Sequence, residues 1–204
     1  MSAASVEQPF ADDEPFSLTA IADEIMERHP GYRVEIIGGH LLVTPSPDAP
    51  HARAINRLAY PFLEAGLDDG ETEVFQNVSI WLPGGEDYAI PDLVVVDGDI
   101  DDHLIEGTAY DPACFRLVLE VTSGNWKDDL KTKVGAYAQA KVPVYVVVDR
   151  KHQRLHVLTE PIEGTYGTHR IHSPGETVDL PDTIGAKVTL DVAAIIEAGR
   201  PRRS

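Results

Sequence analysis

The stretch Phe115–Asp149 reads FRLVLEVTSGNWKDDLKTKVGAYAQAKVPVYVVVD, two apolar runs separated by a polar and partly basic segment. The pattern predicts a strand that ends near residue 121, a helix over residues 126–140 that is capped at Asn125, and a second, wholly apolar strand. An acid, Glu120, stands inside the first apolar run. Because burial costs a carboxylate several kcal/mol of hydration, Glu120 needs a positively charged partner.

Asp92 poses the same problem, since it stands near the start of a second apolar run, IPDLVVV at residues 90–96. Two acids on two buried strands suggest a shared cation. The alternative is that each acid simply pairs with an arginine, such as Arg116 or Arg53.

Length and composition favour one domain. The chain has 204 residues, of which 43% are hydrophobic, enough for one sizeable core. We expect a disordered N-terminal segment at 1–16, because this segment is polar, acidic and interrupted by prolines. A single domain at 17–199 and a short basic tail at 200–204 complete the predicted organisation.

The sequence predicts a soluble, cytoplasmic protein. Cys114 is the chain's one cysteine, which excludes an intramolecular disulfide and is consistent with a reducing compartment. The sequence contains neither a signal-peptide pattern at its start nor a run of about 18 apolar residues, so no membrane partner is expected.

Charge is unevenly distributed along the chain. The formal net charge is −17, which opposes non-specific binding to a polyanion. No Lys or Arg lies between Leu58 and Cys114, a span with 14 acidic residues, whereas residues 116–154 hold eight basic and four acidic ones. The acidic surface is compatible with a merely solvated exterior, but the central segment is basic.

Hydrophobic periodicity outlines the remaining elements. A helix is predicted to start after the cap Ser17, and another near Ala49, which Pro61 should kink or end. Strands are predicted at residues 34–37, 41–44, 72–82, 144–148, 155–158 and 166–171, the first two forming a hairpin around Gly38-Gly39. His51 lies at the head of the second helix, where it is either a surface or capping residue or a ligand.

Asp92, Glu120 and Lys133 together form a chemically meaningful set. Two carboxylates from neighbouring strands, with the peptide carbonyl of Val121 and waters, can hold Mg²⁺ or Mn²⁺. Such a metal activates water and stabilises charge on phosphate oxygens, while a nearby lysine orients that water or neutralises developing charge. This is the chemistry of phosphodiester cleavage.

These residues resemble the PD-(D/E)XK nuclease superfamily, and specifically the bacterial family described as putative restriction endonucleases. The motifs that carry the resemblance are Pro91-Asp92, Glu120-Val-Thr-Ser123, Asp129-x-x-x-Lys133-x-x-x-Tyr137-Ala138 and Val142-Pro143-x-Tyr145. The similarity covers roughly residues 32–192 and begins at the Glu35–Leu42 hairpin.

The resemblance implies an α/β (α+β mixed) restriction-endonuclease-like fold, with a mixed central sheet flanked by helices. It implies metal-dependent hydrolysis of DNA, with Asp92, Glu120 and Lys133 as catalytic residues and Glu35 and His51 as additional candidates. Mg²⁺ or Mn²⁺ is the expected cofactor, held by Asp92, Glu120 and Val121. DNA and a second copy of the chain, in a homodimer, are the expected partners.

Two positions depart from the superfamily pattern. Thr122 stands where the general motif has a lysine, so the lysine role passes to Lys133, with Lys131 as the less suitable alternative. His40 replaces an acid in the opening hairpin. Two other functions therefore stay open: a decayed nuclease fold that serves as an interaction or regulatory module, and a hydrolase of small phosphorylated substrates. Tyr137 and Trp126 are expected to pack rather than to stack on bases.

Overall fold

The computed structural model of the chain describes residues 17–122 and 128–202, with the backbone alone at 128 and 129. Several sequence predictions lie outside these described residues. They are the disorder of 1–16, the helix start at Asn125 and Trp126, the motif position Ser123, the side chain of Asp129 and the last two residues of the basic tail.

The described residues form four α-helices: α1 (Leu18–Arg28), α2 (Ala49–Glu64), α3 (Lys133–Gln139) and α4 (Val192–Ala198). The predicted cap of α1 is confirmed, because the Ser17 hydroxyl accepts a hydrogen bond from the Ala20 amide at 3.2 Å. Pro61 lies within α2, which ends at Glu64, less than one turn further on. A π-helical turn at Asp128–Thr132 leads directly into α3.

Fourteen strands are found in the same residues: β1 (Arg33–Ile37), β2 (His40–Thr44), β3 (Thr72–Phe75), β4 (Ser79–Trp81), β5 (Tyr88–Ala89), β6 (Leu93–Asp97), β7 (Leu104–Glu106), β8 (Ala109–Tyr110), β9 (Phe115–Val121), β10 (Val144–Asp149), β11 (Arg154–Ile162), β12 (Thr165–His172), β13 (Thr177–Asp179) and β14 (Thr189–Asp191). The predicted hairpin β1–β2 is confirmed, and the strands predicted at residues 144–148, 155–158 and 166–171 are found as β10, β11 and β12.

The strands divide into two six-stranded sheets and a small ribbon. The central sheet has the order β12-β11-β10-β9-β6-β3, and the second sheet has the order β2-β1-β5-β4-β8-β7. In the central sheet β9 and β10 are parallel, whereas the other neighbouring strands are antiparallel. A parallel pair needs a crossover connection, and here the connection contains α3.

The two faces of the central sheet belong to different cores. On one face, alternate residues such as Leu117 and Leu119 pack with α2 and α4. On the other face, Val118 and Val147 pack with α3 and with the second sheet. Because side chains alternate along a strand, Glu120 shares the face of Val118 and lies toward α3. The predicted mixed central sheet flanked by helices is confirmed.

One predicted strand is wrong. Residues 72–82 form two strands, β3 in the central sheet and β4 in the second sheet. The extended conformation is interrupted at Asn77, whose φ is +58°. Asparagine tolerates this left-handed conformation, but a continuous strand excludes it. Apolar alternation runs through this break, since it does not depend on which sheet each half joins.

Among the described residues, no helix is both long enough and apolar enough to cross a membrane.

Candidate active site

The register of the central sheet brings the two predicted acids to the same end. β6 and β9 are antiparallel neighbours with Leu93 opposite Leu119, so Asp92 and Glu120 each lie one residue beyond that pair. Both carboxylates line one cleft of about 1140 Å³. Each residue is only 1% exposed, so neither acid is hydrated freely and both depend on protein partners.

Lys133, the first residue of α3, lies over Glu120. Its Nζ is 2.8 Å from Glu120 Oε1 and 3.0 Å from Glu35 Oε1. The Tyr137 hydroxyl, one helical turn further, donates to Glu120 Oε1 at 2.8 Å. Lys131 is exposed, whereas Lys133 is buried. Geometry therefore distinguishes the two lysines that the sequence left as alternatives.

Glu35 reaches the site from the second sheet. It stands on β1, is buried, and its Oε1 accepts the Ile90 amide at 2.8 Å in addition to the Lys133 ammonium. The Ile90 amide belongs to the segment that leads into Asp92. Glu35 thus ties the position of Lys133 to the strand start that carries Asp92.

Asp92 is held by three donors. Its Oδ1 accepts from Arg33 Nη1 at 3.0 Å, and its Oδ2 lies 2.8 Å from the Val121 amide and 3.0 Å from His51 Nε2. Burial alone would raise the pKa of Asp92, but the contacts with His51, Arg33 and the Val121 amide outweigh it and lower the pKa to about 2. The carboxyl is therefore ionised at neutral pH.

The arginine that pairs with an acid of the site is Arg33, which differs from both arginines considered from the sequence. Arg116 Nε lies 2.5 Å from Asp97 Oδ1, and Arg53 Nη2 donates to the Arg200 carbonyl at 3.0 Å. Burial by itself would lower the pKa of Arg33, yet the neighbouring carboxylates raise it. The guanidinium is a permanent charge at the cleft wall.

His51 lies inside the cluster and is only 4% exposed, so it is not the surface residue considered from the sequence. The cap of α2 positions it, since the Asp48 carboxylate accepts the His51 amide at 2.7 Å. Its Nε2 is 3.0 Å from Asp92 Oδ2 and 2.9 Å from the Val121 carbonyl oxygen. Its Nδ1 is buried and has no hydrogen-bond partner among the described residues.

The ionised groups nearly balance. Arg33 contacts Asp92, and Lys133 contacts Glu35 and Glu120. Counted over these described residues alone, three carboxylates and two cations carry one net negative charge with a neutral His51 imidazole and none with an imidazolium. Burial, followed by the charge of Glu120, raises the pKa of Tyr137 well above its usual range, so its hydroxyl keeps the proton that it donates.

The predicted metal ligands can be tested against this arrangement. Asp92 Oδ2 and the Val121 carbonyl oxygen are both acceptors, and both lie within 3.0 Å of His51 Nε2, so they face one point. Two oxygens that face one point need a shared positive group, which an imidazole N–H supplies here and a divalent cation could also supply. The described residues hold no cluster of three His, Cys, Asp or Glu side chains suited to a metal, but the predicted set uses two carboxylates and a backbone carbonyl. Oxygen ligands are those that Mg²⁺ and Mn²⁺ prefer, and two of the three predicted ones, Asp92 Oδ2 and the Val121 carbonyl oxygen, face the same point.

Sequence reasoning missed Arg33 and understated Tyr137. Arg33 stands two residues before Glu35 on the same strand, so alternation would have placed both on one face, had the strand been known to border the site. Tyr137 does pack, with its ring 4.9 Å from that of Tyr145, but it also donates to Glu120. Thr122, the departure from the motif, accepts the Arg150 amide at 3.0 Å and supports the turn after β10.

Comparison with known proteins gives matches of two kinds, to a family model and to solved structures. A model of the Uma2 family, described as putative restriction endonuclease, matches residues 22–193. A solved structure of a putative nuclease belonging to DUF820, from Anabaena variabilis ATCC 29413, superposes with a TM-score of 0.58 and 14% sequence identity. The superposition covers 82% of this chain and 91% of that chain, and at this identity it supports the fold alone. A comparison with curated protein sequences gave no match.

Proposed function

The chain belongs to the Uma2 family of putative restriction endonucleases, and we propose that it hydrolyses DNA phosphodiester bonds with Mg²⁺ or Mn²⁺. The proposal rests on one observation above all: Asp92, Glu120 and Lys133, from two strands and a helix, meet in a single cleft. Buried acids paired with one lysine at a cleft are costly to assemble, and such clusters concentrate at functional sites.

In this proposal Asp92, Glu120 and the Val121 carbonyl hold the metal. When bound, the metal would supply Lewis acidity toward a phosphoryl oxygen and make a water molecule more acidic. Asp92 is suited to this role because its low pKa keeps it ionised, and its contact with the Val121 amide fixes its orientation. His51, at hydrogen-bonding distance from two of the three ligands, orients them from the cap of α2.

Lys133 has a different role, because its ammonium is held at the base of the cleft by Glu120 and Glu35. From there it can orient the attacking water and offset the negative charge that grows on the phosphoryl oxygens. Arg33, whose side chain is 26% exposed and lines the same cleft, can contact a non-bridging phosphate oxygen. Both cations line the cleft that an anionic substrate would occupy.

One observation favours the alternative of an interaction or regulatory module without catalysis. The buried Lys133 and the partly exposed Arg33 already pair with the carboxylates to which the proposal assigns the metal. A decayed site would retain this pairing for stability alone. Activity is therefore the measurement that separates the two functions.

A cleavage assay on supercoiled plasmid and on single-stranded oligonucleotide, with Mg²⁺, Mn²⁺ or EDTA, tests the proposal. We expect metal-dependent cleavage by the wild type, and a decrease of roughly 100-fold or more, about 3 kcal/mol of transition-state stabilisation, in Glu120→Gln. The matched lysine pair is Lys133→Met, which should lose activity to a similar degree, and the exposed Lys131→Met, which should retain it.

Loss of folding must be separated from loss of chemistry. Glu35→Gln combined with Lys133→Met keeps the net charge of the buried cluster and should fold better than Lys133→Met alone, while still lacking the ammonium. A folded double variant that cleaves like the wild type would remove Lys133 from the mechanism. A folded, metal-supplied wild type that never cleaves either DNA form would overturn the nuclease proposal in favour of the interaction module.

A further inference from the structure

A second hollow borders the cleft on the outer side of α2. Its charged lining residues are Arg53, Arg57, Arg200, Arg202 and Glu197. Four basic residues and one acidic one thus come together in a chain that has 17 basic and 34 acidic residues. We call Arg53, Arg57, Arg200 and Arg202 the basic strip. Its composition is the reverse of the protein's average.

The helix supplies half of the strip through its periodicity. Arg53, Asn56, Arg57 and Tyr60 are spaced by three or four residues and share the outer face of α2. The opposite face of the same helix is buried against the central sheet. From Arg53 to Tyr60 the helix rises roughly 10 Å, at 1.5 Å per residue. The strip is therefore elongated rather than a point site.

The strip is continuous with the cleft. Asn56, Gln153, Arg200 and Pro201 line both hollows. An elongated ligand whose scissile bond lay near Lys133 could therefore extend along α2 without leaving the protein surface. A small phosphorylated molecule would fill the cleft and leave the strip unused.

The charges of the strip are accessible. Arg57 and Arg202 are exposed, and neither has an ion pair or side-chain hydrogen bond among the described residues. Arg200 is held in place by Glu197 at 2.8 Å and by Gln153 at 2.7 Å. Arg53 anchors to the Arg200 carbonyl. Two positioned and two available guanidinium groups make a surface on which anionic oxygens can bind.

We propose that the basic strip binds the backbone phosphates of DNA that flank the bond being cleaved. This inference extends the proposed function and rests on it for the choice of DNA as the ligand. The net charge of −17 does not prevent such binding, because at 0.1 M salt charges more than about 10 Å away are largely screened and the local arginines dominate. Tyr60 lies one turn beyond Arg57 on the same face of α2 and is 58% exposed, so its ring is available for a splayed base to stack on.

Binding without cleavage tests the strip independently of catalysis. The probe is a fluorescein-labelled 20-base-pair duplex in EDTA, followed by anisotropy between 50 and 200 mM salt. Arg57→Gln combined with Arg202→Gln is compared with Arg170→Gln combined with Lys187→Gln. Arg170 and Lys187 are exposed and lie outside both hollows, so the two double variants lose the same charge.

We expect the strip variant to bind at least about 10-fold more weakly at 50 mM salt. The slope of log affinity against log salt should become shallower by about 1.8, since each phosphate contact to B-form DNA contributes about 0.9. The control variant should bind like the wild type. Thermal unfolding of both variants should match the wild type, because the altered side chains are exposed.

Other outcomes are equally decisive. The inference would be overturned if the strip and control variants bound equally well, or if the wild type bound no duplex. The proposed function would still stand in either case if the wild type showed metal-dependent cleavage. Polyglutamate that competes as well as DNA, and loses affinity in the same variant, would assign the strip to acidic polypeptides and also overturn it. Duplex binding through the strip by a protein that never cleaves would support the strip and reject the nuclease.

Discussion

Two buried carboxylates lie at the same end of neighbouring parallel strands but contact different side chains, a lysine in one case and histidines in the other. Glu120 on β9 faces the ammonium of Lys133. Asp149, at the end of β10, contacts His152 Nδ1 at 2.7 Å and lies 3.8 Å from His156 Nε2. Both acids are 1% exposed. A lysine or arginine side chain is charged at neutral pH, whereas the charge of an imidazole near that pH depends on its surroundings.

The difference indicates that the two buried carboxylates have different roles. Contacts with His51, Arg33 and the Val121 amide keep Asp92 ionised, and the Lys133 ammonium contacts Glu120 in the same cleft, so negatively charged oxygens of the kind that a hard metal ion binds are available there. Around Asp149, burial and the charge of His169 lower the pKa of one partner, His156, to about 4, which makes this region sensitive to acid. Perturbing each cluster separately should therefore give different signatures.

The largest expected effect is on the Glu120 cluster. Lys133→Met should lower the free energy of unfolding by about 3–5 kcal/mol, because it removes the ammonium that contacts two buried carboxylates. Lys131→Met should change it by less than about 0.5 kcal/mol, since that side chain is exposed. Urea unfolding of both variants at pH 7 makes the measurement. Equal stability of the two would mean that the buried pair contributes nothing.

The next effect distinguishes the clusters by their affinity for metal. At a concentration 100 times its dissociation constant, Mg²⁺ or Mn²⁺ should raise the free energy of unfolding by about 2.7 kcal/mol. Asp92→Asn should abolish this gain and Asp149→Asn should retain it. Because Asp92 is already paired with Arg33 and His51, its replacement should also destabilise the metal-free protein. Thermal melts with and without metal measure both effects. A gain that persists in Asp92→Asn would place the metal elsewhere.

The smallest effect belongs to the histidine cluster and depends on pH. Burial, then the charge of His169, lowers the pKa of His156 to about 4, and the nearby Asp149 only partly opposes this. Between pH 6.5 and 4 the unfolded chain therefore binds a proton that the folded protein excludes, so stability falls as the pH falls. We expect a loss of about 2 kcal/mol, reduced from the full linkage value because the neighbouring His169 reaches solvent.

Replacement of His156 separates its contribution to the pH dependence of stability from that of the carboxylates. His156→Gln should show a shallower loss of stability between pH 6.5 and 4 than the wild type, measured by urea unfolding at several pH values. His40→Gln, at an exposed histidine, should follow the wild-type curve. Identical pH dependence in all three proteins would contradict the assignment.

Local chemistry made much of this molecule predictable from its sequence. The cap at Ser17 and the paired glycines at 38 and 39 act within a few residues, so α1 and the first hairpin could be read directly. Asp92 and Glu120 were conspicuous for an equally local reason, since an acid inside an apolar run demands compensation. The sequence therefore singled out these two acids, and the structure places both in one cleft.

Which side chains pair with these two buried acids was decided by the tertiary structure alone. Lys133 contacts Glu35 across 98 positions of sequence, and His51 reaches the Val121 carbonyl across 70. The division of residues 72–82 between two sheets could not be predicted from the sequence either. Hydrophobic alternation fixes which face of a strand is buried, but not which strand lies beside it, because register and sheet order are set by contacts between distant segments. The sequence determined that two acids needed cations, and the fold selected Arg33 and Lys133 to supply them.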